Sequence, residues 1–386
     1  MNKFQIKPEW ILRDPAGAGR GLSQLFELLA TIAAEGNLRR ACARLNLSYR
    51  HAWGIVREGG QTFGMPLIDF TRGQGAKLTP LGDKLVWANK RIAARLTPIL
   101  DSFASELESE IGRTLAAAGA RTRIHASYGY AVAALHGLLH GKRLQVDLRY
   151  VGSADALASL CRDHCDLAGF HVPVGDLQPV ALRAYAPWLR PRQHRLINLI
   201  TRRQGLIVAP RNPQGIASLA DLTRPGVRFV NRPAGSGTRL LLDMLLEREG
   251  LNGSRIAGFN TVEATHAAVA AYIASGMADA GLGVEPAARQ FGLGFVPLVN
   301  ERYFLVCRED AVDSPEIHAV LETARSSEFR SMIAELPGLD GIQCGTLVSV
   351  AEAFPNYRFP SHRAQRPRGI PSGERASKSP SRGRVQ

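Results

Sequence analysis

VRFVNRPAGSGTRLLLD, residues 227–243, is the stretch on which the fold of the second half of the chain turns. VRFVN reads as a short β-strand, Gly235-Ser236-Gly237-Thr238-Arg239 as a polar glycine turn, and the leucines beyond as the buried face of a helix, with Asp243 and Glu247 on its wetter side. The first turn of a helix carries backbone N–H groups with no internal partner, and the helix dipole adds partial positive charge there. Glycines let a ligand approach that backbone, and the Ser236 and Thr238 hydroxyls add donors, so the stretch can hold an anion. An ordinary N-cap, with Ser236 or Thr238 satisfying the helix and nothing bound, fits the same residues.

The segments on either side repeat the strand-to-helix pattern. RIHAS (123–127) precedes YGYAVAALHGLL, QVDLRYV (145–151) precedes a helix from Gly152-Ser153, and DLAGFHV (166–172) is a further strand. A poorly patterned region with Pro187 and Pro191 follows, then GLIVAP (205–210), ADAGLGV (278–284) and RYFLVC (302–307). Alternating strands and helices predict α/β layers with ligands at the carboxyl ends of the strands. Ser127-Tyr128, Gly152-Ser153 and Ser236-Gly237-Thr238 all fall at such turns. From Arg358 the chain is rich in Pro, Ser, Gly and Arg without periodic hydrophobes, which predicts a disordered basic tail over 358–386.

The first 115 residues read differently. Leu25, Leu28, Leu29 and Ile32 recur at helical spacing until Gly36-Asn37, and Leu38, Ala41, Cys42 and Leu45 form a second stripe. Asn46-Leu47-Ser48 is a short turn, with Ser48 an N-cap for a third helix whose Ala52, Ile55 and Val56 face inward. PLIDF (66–70), RGQG (72–75) and AKL (76–78) read as strand, turn and strand, a small β-wing. Thr79-Pro80 then opens a long helix carrying Leu81, Leu85, Ala88, Ile92, Ile99, Phe103, Leu107 and Ile111, suited to linking or dimerisation and expected to kink or break at Pro98. Together these elements form a winged helix-turn-helix. Its reading helix would present Ser48, Tyr49, Arg50, His51 and Arg57 to DNA, with Arg72 and Lys77 bracketing the wing turn.

Charge supports that assignment. The 386 residues carry a net charge of +14, with a surplus of eight basic residues over 1–95, seven over 357–386, and near neutrality between. Segments this basic fit a polyanion partner. No run of 18 apolar residues occurs and the start, MNKFQIKPEWILRD, lacks a secretory core, which predicts a cytoplasmic protein without a membrane span. The five cysteines form no CxxC pair. Cys161 and Cys165 with His164 lack further ligands, so buried reduced thiols are expected and no metal. Enzyme motifs are missing too: Gly17-Ala18-Gly19-Arg20-Gly21 precedes no phosphate-binding βα unit, GSGTR lacks the P-loop lysine, and neither GxSxG nor HExxH occurs. No cofactor is expected.

AAEGNLRRACARLNLSYRHAWGIV and FGMPLIDFTRGQGAKLTPLGDKL resemble the N-terminal domain of molybdate-responsive ModE regulators, itself related to the LysR-type winged helix. The resemblance covers nearly all of 20–85 and implies a homodimer on a two-fold related operator, with residues 48–57 as the reading helix. RQGLIVAPRNPQGIASLADL (203–222), NRPAGSGTRLLLD (231–243) and HAAVAAYIASGMADAGLGVEPAA (266–288) look like the periplasmic-binding-protein-like domain fused to such regulators, similar to molybdate- and tungstate-binding proteins.

The resulting expectation is a multidomain chain. A winged helix-turn-helix (1–79) and a linker or dimerisation helix (80–115) lead into a two-lobed α/β domain of periplasmic-binding-protein type II (121–345), followed by the tail. Lobe I would take 121–204 and 300–345, lobe II 205–299. The cleft would hold a small anionic effector, molybdate or tungstate, with formate, another carboxylate or a molybdenum-cofactor derivative as alternatives. Its candidate contacts are Ser127, Tyr128, Ser153, Asn231, Arg232, Ser236, Gly237, Thr238, Arg239 and Tyr303. Glu285, His171 and His266 are weaker candidates, the histidines being more often satisfied structural residues. The rival function is a cytoplasmic ligand-binding protein that binds no operator.

Overall fold

The computed structural model describes residues 4–13, 19–71, 75–115, 121–141 and 144–360. A hairpin not foreseen in the sequence, β1 (Ile11–Arg13) and β2 (Gly19–Gly21), precedes the helical head. Local capping then sets the boundaries of α1 (Ser23–Glu35), α2 (Leu38–Leu45) and α3 (Tyr49–Phe63). Gly36, at φ +63°, closes α1, and the Asn37 carboxamide accepts from the Arg39 and Arg40 N–H groups to open α2. Ser48 Oγ accepts from the His51 N–H at 3.2 Å to open α3. Leu25, Phe26, Leu28, Leu29, Ile32, Ala41, Ala52 and Ile55 are buried between these helices. The wing strands β3 (Ile68–Thr71) and β4 (Gly75–Leu78) pair antiparallel beside them.

Thr79 joins head to linker. Its hydroxyl donates to the Pro66 carbonyl at 2.8 Å and accepts from the Gly82 N–H at 3.1 Å, opening α4 (Pro80–Leu115). Contrary to the expectation of a break, α4 runs helical through Pro98. Proline has no N–H to donate to the carbonyl four residues back. Here the Thr265 hydroxyl takes up that Ala94 carbonyl at 3.0 Å, so the helix loses a bond without stranding an acceptor.

The second domain alternates β5 (Thr122–Ala126), α5 (Tyr130–Gly141), β6 (Val146–Tyr150), α6 (Ser153–Cys161), β7 (Leu167–Pro173) and α7 (Gln178–Tyr185). The chain continues through β8 (His194–Val208), β9 (Phe229–Val230), α8 (Gly237–Arg248), α9 (His266–Ala274), β10 (Ala280–Val284), α10 (Glu285–Gln290) and β11 (Gly294–Arg308). It closes with α11 (Pro315–Arg325), α12 (Ser327–Ala334), β12 (Leu339–Asp340), β13 (Leu347–Ser349) and α13 (Val350–Ala353). Among the described residues one sheet runs β6-β5-β7-β11-β8-β10-β9, with β12 and β13 also paired to β8. β5, β6 and β7 are parallel, whereas β8 and β11 run antiparallel to each other through both lobes.

Two boundaries differ from the sequence reading. β8 starts at His194, so the lobe border at 204/205 lies inside a strand instead of between units. Arg202 and Gln204 are buried in that strand, and two polar residues in a buried run disguise it as loop. The domain also extends past 345: Phe354 packs against Phe359 at 6.4 Å, and Tyr357 against Phe359 at 4.7 Å. The start of the expected tail is thus folded against the core, while residues 361–386 lie outside the described residues. One continuous apolar cluster holds Phe170, Leu196, Leu206, Leu241 and Phe304, so the lobes share a core on one face of the sheet.

Where the long strands cross between lobes, Arg202 stands opposite Glu301 in register. Their side chains pair at 2.9 Å, both almost wholly buried, and Gln204 Nε2 donates to the same carboxylate oxygen at 2.9 Å. Breaking a buried pair by removing one partner leaves an uncompensated charge. Glu301→Leu is therefore expected to cost about 3–5 kcal/mol of unfolding free energy, read from denaturant midpoints. A cost under about 1 kcal/mol would show that the crossing does not depend on this pair.

Candidate functional site

Two sites emerge, one on the head and one between the lobes. On the head, Ser48 is held in its cap while Tyr49, Arg50, His51 and Arg57 are exposed along α3, and Lys77 is exposed on the wing. The Arg39 guanidinium lies 5.9 Å from the centre of the Tyr49 ring, which holds that ring against α2. Arg50 sits in the first turn of α3, the end that enters a major groove in helix-turn-helix docking. Arg72 lies outside the described residues. Trp53, 43% exposed, packs against Phe70 of the wing at 5.1 Å and fixes the wing against the reading helix.

The inter-lobe cleft has a volume of about 340 Å³. Four helix N-termini supply its polar lining: Ser127 and Tyr128 before α5, Gly152 before α6, Ser236 and Gly237 at α8, and Thr265 and His266 at α9. Gly152 and Gly235 face each other across it, and a Cβ on Gly152 would come within 3.2 Å of the Gly235 carbonyl. Ser236 is both the N-cap of α8, accepting from the Arg239 N–H at 3.2 Å, and a lining residue. Thr238 lines the cleft and is tied to the crossing strands by Gln204 Nε2 at 3.2 Å.

Arg232 is the outlier of this site. It lines the cleft, yet its Nε and Nη1 are buried without a hydrogen-bond partner. Burial first, and the neighbouring Arg202 charge second, push its pKa down to about 9, which leaves the guanidinium charged at neutral pH. Arg202, also in the lining, is already neutralised by Glu301. His171 and His266 complete the floor. Burial chiefly, reinforced by Arg202 and Arg232, holds both rings well below the usual histidine range, so they are neutral. His171 Nδ1 lies 3.2 Å from Ser153 Oγ, and its Nε2 lies 3.5 Å from Ser127 Oγ. A cation with two buried donors unmet, beside helix N-termini and hydroxyls, has the chemistry that suits an anion.

Four of the expected contacts, Arg239, Asn231, Tyr303 and Ser153, stand outside the lining, as does the weaker candidate Glu285. Arg239 turns out of the cleft: it pairs with Asp243 one helical turn on, at 2.9 Å, and lies 4.3 Å from the centre of the Phe259 ring. Asn231 is a buried brace, its amide donating to the Phe259 carbonyl and its Oδ1 accepting from the Arg232 N–H. Tyr303 lies under the His171 ring at 4.2 Å, and burial pushes its phenol up to about 12. Ser153 is buried behind Gly152 and reaches the cleft through His171. Glu285 pairs with Arg203 and Arg289 outside the cleft.

Sequence reasoning passed over Arg202, because a charge inside a strand gives no local signal. It discounted His171 and His266, which both line the cleft, and it missed Arg95, Pro98 and Ile99 of α4 altogether. All five cysteines are free thiols. Cys161 donates to the Trp188 carbonyl and Cys165 to that of Ala156, so the pair does not converge.

Residues 23–83 match the bacterial regulatory helix-turn-helix proteins of the lysR family, and residues 136–325 match the PBP superfamily domain. The uncharacterised protein YvgK of Bacillus subtilis is 30% identical over 200 residues, 52% of this chain. The chain spans 64% of that relative's length, just under two thirds. An uncharacterised protein from the 5′ region of a 2Fe-2S ferredoxin gene of Clostridium pasteurianum is 30% identical over 111 residues, 28% of this chain and 98% of that protein, and the two belong to one family. The molybdenum-pterin-binding protein MopB of Rhodobacter capsulatus is 30% identical over 116 residues, 29% of this chain and 43% of MopB. No helix among the described residues is long and apolar enough to cross a membrane.

An unpaired buried charge costs stability, so Arg232→Met should raise the unfolding free energy of the ligand-free protein by about 1–4 kcal/mol. A loss of similar size would make Arg232 a structural residue. The histidines give a pH signature. Their native pKa values lie below the unfolded value of about 6.5, so the unfolded chain takes up protons first as pH falls. Stability that is full above pH of about 6.5 should decline below it, towards the depressed native values. His171→Gln should flatten that decline in melting temperature between pH 7 and 5; an unchanged slope would show that His171 does not contribute.

Proposed function

We propose that this chain, a lysR-type ligand-responsive regulator built from a helix-turn-helix and a PBP superfamily domain, takes a small oxyanion into its inter-lobe cleft and reports it to operator DNA. It is a DNA-binding regulator, not an enzyme. The Arg232 guanidinium, with Nε and Nη1 unpartnered among four helix N-termini, carries the reading, because that arrangement favours negative charge. Molybdate or tungstate is the leading effector, in keeping with the molybdenum-pterin ligand in the name of the relative MopB. The protein acts in the cytoplasm, as a homodimer. Phe103 and Leu107, exposed one turn apart on α4, offer an apolar seam for the second copy.

One observation favours a second effector. A cleft of about 340 Å³ has room for roughly ten waters. Tyr128 and Tyr150 meet edge-to-face at 5.0 Å along its wall. A molybdenum-cofactor derivative, with an oxyanion at Arg232 and a ring near the tyrosines, uses that volume more fully than a bare tetrahedral ion.

The test is a thermal-shift panel of molybdate, tungstate, sulfate, phosphate and formate on the wild type and Arg232→Met. Binding to the native state raises its stability by about 2.7 kcal/mol at a hundredfold excess over Kd. Molybdate or tungstate should shift the wild type and leave Arg232→Met unmoved. No shift with any oxyanion would overturn the effector reading. In the same preparations Arg50→Ala should weaken sequence-preferring DNA binding about tenfold or more with the anion shift intact.

A further inference from the structure

α4 does more than join head to sensor. Arg95, Pro98 and Ile99 form part of the wall of the cleft, although they precede the sensor domain in sequence. The helix is also bound to both lobes, and Pro98 divides the two sets of contacts. Before Pro98, Arg95 forms a two-pronged ion pair with Glu263, whose carboxylate is buried, with Nε to Oε2 at 2.6 Å. The Ala94 carbonyl accepts from Thr265 Oγ1, and the Arg91 guanidinium lies 5.9 Å from the centre of the Tyr272 ring. All three partners belong to lobe II, at or beside α9. After Pro98 the contacts pass to the β6 edge of lobe I. Ser102 Oγ accepts from the Tyr150 N–H at 3.3 Å, while Ser105 Oγ accepts from the Leu148 N–H at 2.9 Å and donates to the Val146 carbonyl at 3.3 Å.

The helix therefore straddles the cleft, and the one residue that cannot complete its helical bond stands between its two anchorages. A rod fixed to two bodies must bend or release when they move, and helices bend at proline. We propose that α4 is a pointer hinged at Pro98: residues 80–97 and the head move with lobe II, residues 99–115 stay with lobe I, and any change in lobe separation swings the head. This rests on the reading of the cleft as the effector site, and it names Glu263, through Arg95, as a positioning residue for the response. Glu263 lies outside the cleft lining, so its substitution removes no lining side chain, but it frees the Arg95 guanidinium in the wall. Coupling of this kind amounts to about 5- to 150-fold in affinity between sites.

The experiment uses the full-length chain and molybdate as the probe, with Glu263→Gln and Glu263→Asp compared with wild type. Each is measured for molybdate-induced melting shift, operator affinity with and without molybdate, and amide exchange along α4. Glu263→Gln should keep a molybdate-induced melting shift at least as large as that of the wild type. Its molybdate-dependent change in operator affinity should fall to less than a third of the wild-type factor, with Glu263→Asp recovering part of it. Without any anion, exchange should rise in 91–97 of Glu263→Gln while 102–108 keeps wild-type protection. Operator coupling equal to wild type, or exchange rising equally on both sides of Pro98 or on neither, overturns the hinge. Should no anion bind the wild type, the effector reading falls, and the exchange pattern alone decides the hinge: one-sided release upholds it and any other pattern rejects it. Ser105→Ala, on the lobe I side, should give the mirror pattern, with release confined to 102–108; release in 91–97 instead counts against it.

Discussion

The buried Arg202–Glu301 pair fixes where the two long strands cross, and the site depends on that crossing. β8 and β11 pair in antiparallel register through both lobes, with Arg202 opposite Glu301. Gln204, two residues on, reaches both Glu301 and Thr238, so a single hydrogen-bonded chain links the crossing to the first turn of α8. A buried ion pair is a costly way to hold strands together, and packed apolar residues often do as well. Here the charge has a second use, because Arg202 also faces the cleft.

Arg202 and Arg232 show how one chemical group takes opposite roles in one cavity. Arg202 is neutralised within the fold, whereas Arg232 is left with buried donors and no acceptor. The difference lies in the acceptors: Glu301 is spent on Arg202 and Gln204, and among the described residues no carboxylate pairs with Arg232. The two histidines are neutral chiefly because they are buried, and the field of the two guanidinium groups adds to that. On the proposed reading, an anion in the cleft would find the unmet Arg232 donors, and that differential contact would be what shifts a conformational equilibrium.

The head was legible almost residue by residue because its signals are local. Leu25, Leu28, Leu29 and Ile32 repeat with the helix period, and Asn37, Asn46 and Ser48 act on N–H or C=O groups within four residues of themselves. In the sensor, the turns before α5, α6 and α8 were legible for the same reason. The two readings of Ser236 turn out to be compatible, as it caps α8 and lines the cleft together. Arg232 and Arg239 could not be told apart along the chain. They flank the same turn seven residues apart, and only the direction of each backbone segment sends one into the cleft and the other towards Asp243.

Hydrophobic period, capping residues and glycine turns were enough to assign a winged head, a long helix and an α/β sensor with an anion-suited turn at 235–239. Each of those features is set by contacts between residues close in the chain. The partners of Arg202, the loneliness of Arg232, the inward-facing histidines and the passage of α4 across both lobes came only with the folded chain. Those contacts join residues roughly 100 or more apart, such as Arg95 with Glu263 and Arg202 with Glu301, or need two elements to leave a gap between them. No local pattern encodes the absence of a partner, and in this molecule an absent partner marks the candidate binding site.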